Sequence, residues 1–183
     1  PGPVDAPARR ALLLVLGSYL LLALAYGAVV PVFEQPDEHT HFFMAQHLAE
    51  TGQLPVQPAD EDERGPWEQQ GSQPPLYYAL MTPVYLLSRG ASVEVQQYLL
   101  RLAVIPFGLL TVFAAFRTTR LLFPNDWFML ITVPAFVAFQ PQISYEAAMV
   151  NNDIVAIAIF SLLIWGIVAG MKRAFPVRLC LLL

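Results

Sequence analysis

The run from Ala11 to Val30 carries no charge over 20 residues. About 20 predominantly apolar residues in a helix cross the hydrocarbon of a bilayer. A signal-peptide core is shorter, about 7–15 residues, so the run reads as a retained membrane helix. Three more candidate spans follow at 98–122, 127–145 and 154–171. In the first of these the apolar centre Leu102–Phe116 is extended by snorkelling of Arg101, Arg117 and Arg120. A further run begins at Phe175. Only 13% of the chain is charged and 56% is hydrophobic, against roughly 25% charged residues in soluble domains. This composition argues against a water-soluble globule. The expected fold class is all-α: a polytopic membrane protein of about four transmembrane helices, with amphipathic surface helices in its first outer loop, 31–97.

Basic residues set the orientation. With the N-terminus cytoplasmic, Arg9, Arg10, Arg117, Arg120, Lys172, Arg173 and Arg178 fall inside, seven of the ten Lys and Arg residues. Outside falls 31–76, where nine acidic residues face the single Arg64. The expected location is thus the plasma (cytoplasmic) membrane, with the long loop extracytoplasmic. The lone Cys180 leaves no internal disulfide framework. The absence of a basic patch argues against a nucleic-acid partner.

Three polar patches share the outer side. The sharpest is Pro36-Asp37-Glu38-His39-Thr40-His41-Phe42. Pro36 suits a first helical turn, and acids there favour the positive helix N-terminus. The amphipathic helix runs on until Gly52 stops it, and places Asp37 and His41 one turn apart on one face. A carboxylate held there can act as a general base. Helix capping is the plainer explanation. It accounts for one acid, but not for two acids and three histidines gathered at a lipid boundary, and both readings stay open.

The second patch is Gln73-Pro74-Pro75-Leu76-Tyr77-Tyr78, an extended entry into a short surface helix, Tyr77–Ser88, interrupted by Pro83. The third is Asn151-Asn152-Asp153 at the outer end of the last span. Asn and Asp cap helices well, yet this patch lies on the same side as Asp37, and the two acids can converge. Such a pair can bind a divalent cation or activate a nucleophile. The run Asp60-Glu61-Asp62-Glu63 reads as a solvated loop. His39, His41 and His47 match no specific metal-ligand spacing.

The order of these motifs resembles the N-terminal half of the GT-C superfamily of polytopic glycosyltransferases, over roughly Ala11 to Met171. The nearest likeness is to bacterial protein O-mannosyltransferases and aminoarabinose transferases. The resemblance implies that residues 1–183 form the N-terminal part of a GT-C-like transmembrane domain whose C-terminal part lies beyond the fragment. It implies transfer of a sugar from a polyprenyl phosphate to an acceptor protein, lipid or glycan on the extracytoplasmic face of the cell envelope. Asp37 takes the place of the acid that orients or deprotonates the acceptor. Asp153 stands where a second acid is found, and Glu38 joins them as the third catalytic candidate. His41, Gln73, Tyr77 and Asn152 are the substrate-binding candidates. Gln73 stands where the family often has a basic residue, and His41 lies one residue further from the acid pair than in the mannosyltransferase pattern. No cofactor is certain; a divalent cation screening the phosphate is the one candidate. A polytopic transporter and a non-catalytic scaffold are the rival functions.

Overall fold

The computed structural model describes residues 5–172. Within them the chain is all-helical. The helices are α1 (Asp5–Val29), α2 (Glu38–Thr51), α3 (Pro66–Gln69), α4 (Leu76–Leu87), α5 (Val93–Leu122), α6 (Trp127–Ala138), α7 (Pro141–Glu146) and α8 (Asp153–Lys172). A 3₁₀ turn at Glu61–Glu63 interrupts the loop before α3. The run from Phe175 lies outside the described residues.

Among the described residues three helices are long and apolar enough to cross a membrane: Ala6–Val29, Val93–Leu122 and Asp153–Lys172. They make this a membrane protein. Their outward residues suit lipid: Leu14 and Leu21 on α1 and Phe160 and Ile164 on α8 are all exposed. At about 45 Å, from 1.5 Å per residue, α5 is longer than the roughly 30 Å of hydrocarbon. Residues 93–97, expected in the outer loop, belong to this helix.

The third expected span, 127–145, is not a continuous helix. α6 stops at Ala138, after 12 residues. That is about 18 Å, too short to cross alone. Pro141 causes the break: it has no N–H to continue the ladder, and it pushes Gln140 out of the helical region to φ −65°, ψ 116°. Pro141 then opens α7 at a first-turn position that proline suits.

The chain nevertheless returns from one end of the bundle to the other, and its contacts trace the path along α1. Leu130 clusters with Ala8, Leu12 and Phe116 at one end. Higher up, the Tyr19 hydroxyl donates to the Ile143 carbonyl at 3.3 Å. Ala148 and Met149 then cluster with Ala23 and Ile105. Irregular backbone at membrane depth is tolerated only where protein encloses it, and Ala147 through Asn151 are each at most 3% exposed. α5 and α8 run parallel, since Phe113 and Arg117 near one end of α5 meet Trp165 in the second half of α8. α1 approaches α5 closely at Gly108, where an added Cβ would lie 2.3 Å from the Tyr19 hydroxyl.

The polar loop elements gather at the opposite end. Here α2 packs on α4 through Phe42, Tyr78, Met81 and Tyr85. Gly52 ends α2 at φ 69°, as its position in the sequence leads one to expect. Pro83 does not interrupt α4, which runs unbroken from Leu76 to Leu87. Nor does the Pro-Pro pair stay extended, because Pro75 already adopts helical angles (φ −74°, ψ −11°).

Candidate functional site

The centre of this end is a buried ion pair. Arg101 and Glu38, 1% and 0% exposed, meet through Nη2 and Oε2 at 2.7 Å and through Nε and Oε1 at 2.8 Å. Arg101 Nη1 also donates to the carbonyls of Gly27 and Val30, and Nη2 to that of Pro31. A guanidinium has five N–H donors, and all five are engaged. The Val30 and Pro31 oxygens lie just past the end of α1, where no helical partner exists. Glu38 accepts in addition from the backbone N–H groups of Phe33 and Val150. One side-chain pair thus ties together α1, α2, α5 and the irregular segment before α8. Arg101 is a buried cation with a fixed partner, and does not snorkel to the span's edge as expected.

Asp37 lies beside this anchor and is exposed. The helix starts at Glu38, two residues after Pro36, so Pro36 is outside its first turn. Asp37 adopts the left-handed conformation (φ 62°, ψ 0°), and its side chain makes no capping bond. Left-handed backbone is disfavoured for a residue with a Cβ, less for Asp than for most, and such strain concentrates at functional sites. The Asp37 carbonyl holds the conformation by accepting from Thr40 Oγ1 at 2.7 Å and His41 N at 3.0 Å. The carboxylate is left free of structural duty.

The second acid is freed in the same way. Asn151 Oδ1 accepts from the backbone N–H groups of Asp153 and Ile154, so Asn151 caps α8. Asp153, first residue of the helix, is exposed. Its neighbour Asn152 donates to Gln73 Oε1 at 3.1 Å, joining the Pro-Pro element to the start of α8 across 79 residues of chain.

His41 lies between the two acids electrostatically. Its ring stacks on Tyr78, Nδ1 is 2.9 Å from the Tyr78 hydroxyl, and Tyr77 packs edge-on. Burial lowers the His41 pKa to about 4, against the opposing pull of Asp37, then Asp153, then Glu38. The ring is therefore neutral near neutrality, and both exposed acids lie close enough to act on it. Burial and the Asp153 charge raise the Tyr78 hydroxyl. Glu146 is raised by burial and then by Asp153, while Asn151 and Gln142 donate to it.

All seven residues expected at the site come to this one end, in two layers. Asp37, Gln73 and Asp153 are exposed and Asn152 is half-buried, whereas Glu38, His41 and Tyr77 are enclosed beneath them. Four more residues build the site: Tyr78 and Asn151, which lie within the expected patches but have no expected role in binding or catalysis, and Arg101 and Glu146 outside them. Arg101 carried a signal, since an ionisable residue within an apolar helix marks a functional or buried partner. Among the described residues no three His, Cys, Asp or Glu side chains converge to hold a metal ion. A cation here would have the two exposed carboxylates and would need its remaining oxygens from a ligand.

No family model, curated protein or solved structure matches this chain in the comparisons with known proteins.

Proposed function

We propose that this is a membrane glycosyltransferase that moves a sugar from a polyprenyl phosphate to an acceptor, with its site on the extracytoplasmic face. The reading rests on the motif order that resembles the GT-C superfamily and on one structural observation. Asp37 is an exposed carboxylate on strained backbone, relieved of capping, and it acts together with Asp153 on the same buried histidine. Strain of this kind persists only where its surroundings over-determine it, and the Arg101–Glu38 anchor supplies that constraint.

In the proposed reaction Asp37 accepts the proton of an acceptor hydroxyl or amine as that atom bonds to the anomeric carbon. The bond from that carbon to the phosphate oxygen breaks, and polyprenyl phosphate leaves with the electron pair. Asp153, Asn152 and Gln73 line the approach and offer hydrogen bonds to the sugar or acceptor. Glu38 and His41 position the acid and do not touch substrate. The orientation rests on the seven basic residues assigned to the cytoplasmic side. The transporter reading is weakened at Arg101 and Glu38: a proton or ion relay needs an open valence, and every donor of Arg101 is occupied.

The test is transfer of labelled sugar from a polyprenyl-phosphate donor by membranes containing the protein. Asp37→Asn is expected to lower the rate at least about 100-fold, the lower range for a lost general base, with Asp153→Asn less severe. Full activity in both variants overturns the assignment.

A further inference from the structure

α2 has a second face that the proposed reaction does not use. Phe43, Gln46, His47 and Glu50 recur at the three- and four-residue spacing that places them on one side of the helix. Together with Trp67 from α3 they line a pocket of about 310 Å³. Ligand sites range over roughly 300–1,000 Å³, so this one suits a small head group.

We propose that this pocket binds an organic ammonium group. Its aromatic wall is built from Phe43 and from Trp67, whose ring lies parallel to that of His47 (3° between planes, centroids 6.2 Å apart). Trp67 remains 39% exposed. Aromatic faces attract cations through their quadrupole. Opposite them Glu50 is held in place by Gln46 Nε2 and the Tyr85 hydroxyl, both donating to Oε1 at 3.1 and 3.0 Å. Those bonds keep its pKa low and leave Oε2 without a protein donor among the described residues. The Gln46 amide, whose N–H is turned to Glu50, offers its oxygen as a further acceptor. The pocket therefore presents acceptors and π-faces, the complement of an N–H or N–CH₃ cation.

The surroundings select the same charge. Between 31 and 76 nine acidic residues face one arginine, and Arg89 beyond them also acts on Glu50; the net field still repels an anion and gives an uncharged sugar no advantage. Tyr85, which holds Glu50, belongs to the short apolar helix α4, of the kind that lies on a membrane surface. The ammonium has two sources of the same chemistry, an amine-bearing lipid head group or a soluble amine.

The test uses the full chain in phosphatidylglycerol nanodiscs at constant ionic strength. It is titrated with choline chloride and, separately, with glucose and with 3,3-dimethylbutanol, the uncharged isostere of choline. Saturation-transfer NMR of the ligand protons reads binding. Saturable choline binding is expected, with the two neutral compounds at least about fivefold weaker. Glu50→Gln, which keeps an acceptor for Tyr85, is expected to weaken choline about fivefold, and Trp67→Leu to abolish the signal, both with unchanged circular dichroism. Replacing the lipid by phosphatidylethanolamine names the source: competition points to the head group, and unchanged choline binding to a soluble amine. No saturable choline binding, equal binding of either neutral compound, or unchanged affinity in both variants overturns the proposal.

Discussion

Removal of the Arg101 guanidinium is expected to be among the most damaging single changes at the site end. In Arg101→Met the carboxylate of Glu38, 0% exposed, keeps only the N–H groups of Phe33 and Val150. Breaking a buried ion pair from one side costs about 3–5 kcal/mol. The carbonyls of Gly27, Val30 and Pro31 lose a donor at the same time, and each unsatisfied buried acceptor adds about 1 kcal/mol or more. Water reaching the Val30 and Pro31 oxygens offsets part of this, so the expected loss is about 4–6 kcal/mol. For a chain of 183 residues, 1 kcal/mol shifts Tm by roughly 2–4 °C, so the midpoint should fall by about 10 °C or more. Thermal unfolding of the purified chain in micelles, followed by circular dichroism, reads the change. Pairing Arg101→Met with Glu38→Leu removes both charges, and the double variant should be more stable than the sum of the single losses by at least about 2 kcal/mol. A single-variant loss below about 1 kcal/mol, or strict additivity, refutes the anchor.

Two further outcomes concern the acids and the histidine. Asp37→Gly should relieve the left-handed backbone at φ 62° and raise stability by about 0.5–1 kcal/mol while abolishing sugar transfer; lower stability in the same melting assay contradicts the strain. His41 has a folded-state pKa of about 4 against about 6.5 when unfolded, so the unfolded chain binds more protons between those values. Stability should therefore be complete above about pH 6.5 and decline as pH falls toward 4, by up to about 3 kcal/mol. His41→Gln should flatten that part of the stability–pH curve, and an unchanged slope would remove His41 as its source.

The long apolar helices α1, α5 and α8 were legible because hydropathy alone defines a span, and Gly52 marked the end of α2 by its backbone freedom. The break after α6 was not, since 127–145 is almost uniformly apolar and a hydropathy window records composition, not the loss of a backbone donor. The readable signal was Gln140-Pro141, a polar residue followed by a proline suited to starting a new helix. Arg101 was misread because its partner lies 63 residues away. Local sequence offers it only a route to the membrane surface, while the fold offers a carboxylate and three carbonyls.

The same long-range view bears on capping, the plainer explanation of the acids. At each of two helix starts an acid adjoins or closely follows a buried polar residue, and in both the buried residue does the structural work. Glu38 takes the guanidinium and two backbone N–H groups, leaving Asp37 no bond to make. Asn151 caps α8, leaving Asp153 exposed on its first turn. Because Glu38 also accepts from Val150, one residue before the Asn151 cap, a single carboxylate fixes the position of one free acid relative to the other. Ordinary capping acids would be used up at their own helix ends. Here they are spared, Asp37 by Glu38 and Asp153 by Asn151, and the Glu38–Val150 bond ties the two helix starts together.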